Sequence, residues 1–478
     1  MNQWVDKNVL VLGLGETGLS MLRWLNAQGA RLRVADSRNE PPGLAEAAQY
    51  VAAGQVFCGA FGDALFENID LIATSPGVPL NDPAVARAVA RGTPVVGDIE
   101  LFAWHINNSL PSLSPTLSHE GRGSKREGRP LILAITGSNG KTTVTSMVEH
   151  LCKAAGKDAV AAGNISPAVL DVVMERGENQ PEIWALELSS FQLEAISTLN
   201  ADAATMLNIS EDHLDRYDGM DEYVAAKARI FNGCKVQVLN RDDPRSIGMA
   251  RAGSVIITFG LNMPESANDF GIERTENEVW LMRGQQRLLT AGELKIAGMH
   301  NIANALAALA LCHAIDLPMP TLLEALRSFR GLPHRVERVA EIDGVVYYDD
   351  SKGTNVGATV AALEGLGRKV VLLAGGEGKG QDFSPLKPAV SRYARAVVLI
   401  GRDAPLIAAA LKGCGVPLLR AANMNDAVLQ ATNSAQSGDA VLLSPACASF
   451  DMFRNYEHRA EIFVEAVHEL IKEAAWSR

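Results

Sequence analysis

The chain has 478 residues, 47% hydrophobic and 21% charged, with 44 Lys and Arg against 55 Asp and Glu for a formal net charge of −11. That balance reads as ordinary globular protein of about three domains and excludes a general nucleic-acid binder, which carries a basic face. No apolar run approaches the roughly 18–20 residues that span a bilayer, so no membrane partner is expected.

Residues 1–97 alternate strand-like runs, Val9–Leu14, Arg31–Ala35 and Leu71–Thr74, with helical stretches, which predicts a parallel α/β sheet. The opening residues lack the basic stretch and long apolar core of a secretory leader. Between the first two strands lies Gly13-Leu-Gly15-Glu16-Thr17-Gly18, with Asp36 closing the second strand. Glycines there let backbone amides approach a diphosphate at a helix N-terminus, where the dipole favours negative charge. A nicotinamide dinucleotide would satisfy this turn equally well, but that reading leaves the next phosphate loop without a role.

Residues 107–130 are rich in Ser, Pro, Gly and charge. They bury too little apolar surface to offset ordering entropy, so a mobile insertion is expected over about 108–130. A second block, 98–331, holds strand candidates Leu131–Thr136, Ala159–Ala162, Ile183–Leu188, Ala203–Leu207, Lys235–Leu239 and Ser254–Thr258. The first of them runs into Gly137-Ser138-Asn139-Gly140-Lys141-Thr142-Thr143 and a helix over Val144–Cys152. A Gly-rich turn between strand and helix cradles phosphates. Lys141 adds a point charge, and the Thr142 hydroxyl suits Mg2+. Ile135 stands where the standard loop has Gly, so this is a shorter variant of an ATP loop.

Glu187 ends an apolar strand, the position of a metal carboxylate in such a domain. His213, in the polar run after the next strand, suits either a metal or a hydrogen bond. Lys227 shares a helix face with Tyr223, Ile230 and Phe231, a stripe meant for burial. Either its ammonium snorkels outward or its charge is suppressed or chemically altered. Asn301 and Asn304 share one face at the start of a helix over Ile302–Ile315, and amides so placed read a base edge or cap the helix.

The third block, 332–478, has strands Val345–Tyr348, Val370–Leu373, Ala396–Ile400 and Ala440–Leu443. Polar loops follow three of them, at Asp349–Asn355, Gly375–Gly380 and Ser444–Asp451, where ligands of open α/β sheets bind. Six cysteines, with no CxxC pair, read as reduced thiols of the cytoplasm.

Taken together, the loop at 136–143, the runs at 187–192, 211–217, 225–230 and 332–337, and the loops at 349–355 and 444–451 resemble the Mur ligase family over nearly the whole chain. The insertion near 108–130 departs from the family plan, and Tyr456 stands where the family usually has Phe. The resemblance implies an N-terminal Rossmann-like domain, a central ATPase with a mostly parallel sheet and a C-terminal Rossmann-like domain. It implies an ATP-dependent ligase that joins D-glutamate to UDP-N-acetylmuramoyl-L-alanine through an acyl phosphate.

 In plain terms, the implied enzyme is a monomeric amide ligase whose cofactors are ATP, two Mg2+ ions and a carbamate on Lys227. The same resemblance implies roles for particular residues. Gly15, Glu16, Thr17, Asp36, Ser37, Arg38, Ser75, Gly77 and Asn164 would hold the UDP substrate. Gly137 to Thr143, Asn301, Asn304, Arg335 and Asp350 would hold ATP. Thr142, Glu187, His213 and the carbamate of Lys227 would ligate metal. Thr354, Lys379, Ser449, Phe450 and Tyr456 would hold D-glutamate, and Lys141, His213, Lys227 and Lys352 would act in catalysis.

Overall fold

A computed structural model of the chain describes residues 4–108, 129–211 and 216–476. The expected insertion therefore falls almost wholly outside the described residues, as does His213.

Three sheets follow one another along the chain. The first holds β1 (Asn8–Leu12), β2 (Arg31–Asp36), β3 (Val56–Cys58), β4 (Leu71–Thr74) and β5 (Val95–Val96) in the order β3-β2-β1-β4-β5, all parallel. The second holds β6 (Leu131–Thr136), β7 (Ala159–Gly163), β8 (Ile183–Glu187), β9 (Ala203–Met206), β10 (Val236–Asn240), β11 (Val255–Phe259), β12 (Phe270–Arg274), β13 (Val279–Arg283) and β14 (Gln286–Thr290). Its order is β14-β13-β12-β11-β10-β9-β6-β8-β7, parallel except for the β12–β14 meander. The third holds β15 (Glu337–Ile342), β16 (Val345–Asp349), β17 (Val370–Gly375), β18 (Ala394–Ile400), β19 (Leu418–Arg420) and β20 (Ala440–Leu443), ordered β15-β16-β20-β17-β18-β19, with β15 alone antiparallel to its neighbour.

Side chains of a strand alternate between faces, and here both faces are covered. Val9 and Val11 enter one core, Leu10 and Leu12 another. Ile132 and Ala134 join the core of Val9 and Val11, while Leu133 and Ile135 pack under the helices Lys141–Ala154 and Met299–His313. The first and second sheets thus share one core, bridged by the helix Asp98–Asn108, whose Phe102 ring meets Trp184 edge-on at 4.8 Å. The third sheet has its own two cores, split along β17 between Val370 and Leu372 on one face and Val371 and Leu373 on the other.

The near-continuous apolar runs of the parallel strands made them legible. The meander β12–β14 and the strands β3, β5, β15 and β19 were not expected. They are short or, like Glu337–Ile342, carry charge on a half-exposed edge. Among the described residues no helix is long and apolar enough to cross a membrane.

Candidate active site

The loop between β6 and the helix Lys141–Ala154 is built by glycine. Gly140 has φ +84°, and a Cβ there would lie 2.5 Å from Asn304 Oδ1. The loop is pinned to the segment after β9: the Ser138 amide donates to Asn208 O at 2.9 Å and the Asn139 amide to Asn208 Oδ1 at 2.8 Å. Lys141 Nζ folds back onto Gly137 O and Ser138 O, at 2.9 and 3.0 Å. Thr142 Oγ1 accepts from Arg335 Nη2 at 2.9 Å, so a guanidinium of the third sheet already reaches the phosphate loop.

Beside β6, Glu187 ends β8 and is 2% exposed. Asn164 Nδ2 donates to its Oε1 at 2.9 Å, while its Oε2 is buried without a partner. A buried carboxylate oxygen left in this state costs free energy unless something binds it, so Glu187 is a residue that could hold a cation. Lys227 does not snorkel. It is 2% exposed, its Nζ donates to Gly137 O at 3.0 Å and Thr136 Oγ1 at 3.3 Å, and it stands 5.0 Å over the Tyr223 ring. Tyr223, Ile230 and Phe231 are buried with it, as the shared face predicts.

A cleft of about 320 Å³ opens between the second and third sheets. Asn139, Asn208, Asn301, Asn304, Arg335 and Asp350 line it. Asn304 Nδ2 donates to Asn301 Oδ1 at 3.2 Å, and Asn301 Nδ2 donates to Ala297 O at 2.7 Å. His300, not singled out from sequence, lines it too. Burial pulls its pKa down to about 4, so the ring is neutral. Asp350 is buried, and burial pushes its carboxyl up to about 7 against the Ser444 hydroxyl, which donates to it at 2.7 Å, and the Arg335 charge. Sequence pattern could have flagged His300 only through its place beside Asn301.

Lys352 extends this group from the loop after β16. Burial and the nearby Arg335 lower its pKa, against the pull of Glu187, and its Nζ donates to Tyr456 Oη at 3.1 Å. Tyr456 thus offers a hydroxyl that Phe would lack. The loops after β17 and β20 are joined through Glu377 and Ala448, whose amides donate to each other's carbonyls at 2.9 Å. There Lys379 Nζ lies 6.0 Å from the centre of the exposed Phe450 ring, and Ser449 is buried. Ala446 N donates to Gly353 O at 3.0 Å, linking these loops to the one carrying Lys352 and Thr354.

In the first sheet the loops after β1, β2 and β4 lie side by side. They bring Gly15, Glu16 and Thr17 together with Asp36, Ser37, Arg38, Ser75 and Gly77 at one edge. A Cβ on Gly18 would sit 1.7 Å from Gly13 O, so the turn demands glycine. Asp36 is fully engaged. It accepts from the Leu14 amide at 2.7 Å and from Arg38 Nε and Nη2 at 2.8 and 2.7 Å, and the Arg38 contact pulls its carboxyl down to about 2. Asp36 therefore orients Arg38, whose side chain is half exposed. Glu16 reaches the second sheet, accepting from Ser166 Oγ at 2.7 Å, two residues beyond Asn164.

Known proteins share this plan. The description "Mur ligase MurD-like, N-terminal domain" matches residues 7–97, "Mur ligase middle domain" 135–312, and "Mur ligase, glutamate ligase domain" 334–447. A protein of Nitrosospira multiformis named UDP-N-acetylmuramoylalanine--D-glutamate ligase is 56% identical over 468 residues, covering 97% of this chain and 96% of its own. One of the same name from Methylobacillus flagellatus is 56% identical over 472 residues, 99% of each chain. Among solved structures, UDP-N-acetylmuramate-alanine ligase of Thermotoga maritima superimposes with a TM-score of 0.56 at 20% identity, over 97% of this chain and 99% of that one. At that identity it speaks for the fold alone.

Proposed function

The chain belongs to the Mur ligase family, and we propose that it joins D-glutamate to UDP-N-acetylmuramoyl-L-alanine at the expense of ATP, in peptidoglycan precursor synthesis. The observation that carries the chemistry is the meeting of Arg335 with Thr142 Oγ1 beside the half-unpartnered carboxylate of Glu187. It puts a guanidinium from the third block, and a buried carboxylate suited to a cation, beside one phosphate loop. The name shared by the relatives carries the choice of substrates.

The first sheet holds the UDP group at the edge formed by Gly15 to Thr17, Arg38 and Ser75 to Gly77. The 320 Å³ cleft takes the adenine nucleotide against Asn301 and Asn304. The alanine carboxylate attacks the γ-phosphorus, and ADP leaves with the bridging oxygen. Lys141 and Arg335 hold the phosphoryl oxygens, where charge spreads in a loose transition state. The amine of D-glutamate then attacks the acyl carbon, and inorganic phosphate departs as the amide forms. Lys352, Thr354, Lys379, Ser449, Phe450 and Tyr456 place that amine. Contacts between sheets, Arg335 to Thr142 and Asn355 Nδ2 to Asn139 Oδ1 at 3.2 Å, keep water from the acyl phosphate.

Glu187 fits a divalent cation because its Oε2 is buried and unpartnered, and Mg2+, when bound, neutralises phosphate charge. Thr142 and Lys227 would complete its surroundings, with His213 and a second ion. Lys227 serves there as a carbamate, formed when its neutral amine adds CO2 and loses a proton. Its burial beside Gly137 supports that assignment. Its nucleotide substrates suit the cytoplasm. Phosphate release with UDP-N-acetylmuramoyl-L-alanine and each candidate amino acid tests the reading. D-Glutamate should support it, and release with another amino acid but not D-glutamate would reject it.

A further inference from the structure

The loop Ser75–Val78, here assigned to the UDP substrate, is held from outside its own sheet. Arg216 donates from Nη1 to Pro76 O at 2.7 Å and from Nη2 to Val78 O at 3.2 Å. The same guanidinium lies 4.1 Å over the Phe191 ring and 3.4 Å from Glu194 Oε2. Phe191 and Glu194 belong to the short helix Ser190–Glu194, which starts three residues after Glu187. That helix is itself fixed. Ser189 and Gln192 form a capping box, and Gln192 Nε2 donates to both oxygens of the buried Asp98, at 3.1 and 3.3 Å. Tyr217 Oη donates to Glu194 Oε1 at 2.6 Å and its ring stacks on Phe191, so the far side of the clamp is braced as well.

A guanidinium is a rigid planar fork. Two of its donors face main-chain carbonyls of the first sheet, while its plane and charge face the segment that continues β8. Sliding the substrate loop against the end of β8 breaks both carbonyl bonds at once. The space left between Ser75, Asp98, Gln192 and Arg216 is about 10 Å³, room for one water at most, so the junction has little slack. The Arg216 side chain is 12% exposed.

We propose that Arg216 is a positioning residue that sets the spacing between the UDP-substrate loop and the Glu187 end of β8, so that the substrate's carboxylate meets the phosphate loop. The proposal rests on the functional reading above. It gives Arg216 no contact with the reacting atoms.

The test uses the full-length chain with Arg216→Met, which keeps the aliphatic stem and removes the donors, and Arg216→Lys, which keeps the charge. Steady-state KM is measured for all three substrates, and binding of UDP-N-acetylmuramoyl-L-alanine is measured by calorimetry without turnover. Arg216→Met should raise KM and Kd for the UDP substrate about tenfold or more, the scale of one charge-assisted hydrogen bond. KM for ATP and D-glutamate should stay within about twofold, and Arg216→Lys should fall between. Equal shifts in all three KM values, or an unchanged KM for the UDP substrate, would overturn the proposal. If Arg216→Met does not fold, Arg216→Lys decides: a raised KM for the UDP substrate alone supports the clamp and a wild-type KM refutes it. If wild-type chain binds the UDP substrate yet forms no product with D-glutamate, the functional reading fails while the calorimetry still decides the role of Arg216.

Discussion

Replacing Asp350 by Asn should remove a pH dependence from the stability of the fold. The side chain is 6% exposed, and burial raises its carboxyl from 3.8 to about 7. A raised carboxyl means that the folded state holds a proton the unfolded chain has lost. Stability therefore falls as pH rises from near 4 to 7 and is flat above. At 1.36 kcal/mol per pKa unit, the cost of keeping Asp350 buried grows from about 1.6 kcal/mol at pH 5 to about 4 kcal/mol at pH 8. Asn has no proton to lose and still accepts from Ser444 Oγ, which lies 2.7 Å from the carboxyl. Relative to wild type, Asp350→Asn should thus gain roughly 2–3 kcal/mol between pH 5 and pH 8. Asp98, pushed up to about 6, is present in both proteins and cancels. Urea unfolding at a series of pH values, followed by a probe in the third sheet, measures the difference. Parallel curves for the two proteins would refute the reasoning.

Three further outcomes are expected. Gly140→Ala places a Cβ against Asn304 Oδ1 in a left-handed backbone and should raise the KM for ATP about tenfold, at a stability cost of roughly 1–2 kcal/mol; kinetics in which the KM for the UDP substrate rises equally would contradict it. Ser449→Ala should raise the KM for D-glutamate more than that for ATP, since charge-assisted bonds are worth about 1.5–3 kcal/mol each, and equal effects would count against the assignment. Lys227→Ala should lose most activity with the fold intact by circular dichroism, and short carboxylic acids, but not an alkylamine, should restore part of it; near-normal turnover at low Mg2+ would dismiss the carbamate.

Local chemistry was legible because it is written in adjacent residues. The phosphate loop, the strand that ends at Glu187 and the buried face carrying Lys227 each follow from a short run of sequence. What was not legible is set by distant residues. Asp36 reads as a nucleotide contact closing its motif, yet its oxygens are taken by Leu14 N and Arg38. Arg335 reads as one cation in a polar turn, but its partner Thr142 lies 193 residues away. His300 shows nothing by itself until the helix Met299–His313 sets it, half-buried, in the cleft lined also by Arg335 and Asp350. The β12–β14 meander extends a parallel sheet by antiparallel pairing, which no alternation of strands and helices announces.

The central claim is that the UDP substrate's carboxylate takes a phosphoryl group before the amine arrives. UDP-N-acetylmuramoyl-L-alanine labelled with oxygen-18 in that carboxylate, incubated with ATP, Mg2+ and D-glutamate, tests it directly by mass spectrometry of the released phosphate. Attack on the γ-phosphorus followed by amide formation carries one labelled oxygen into each inorganic phosphate. Phosphate without label, alongside formation of the amide, would contradict an acyl phosphate and the account built on it.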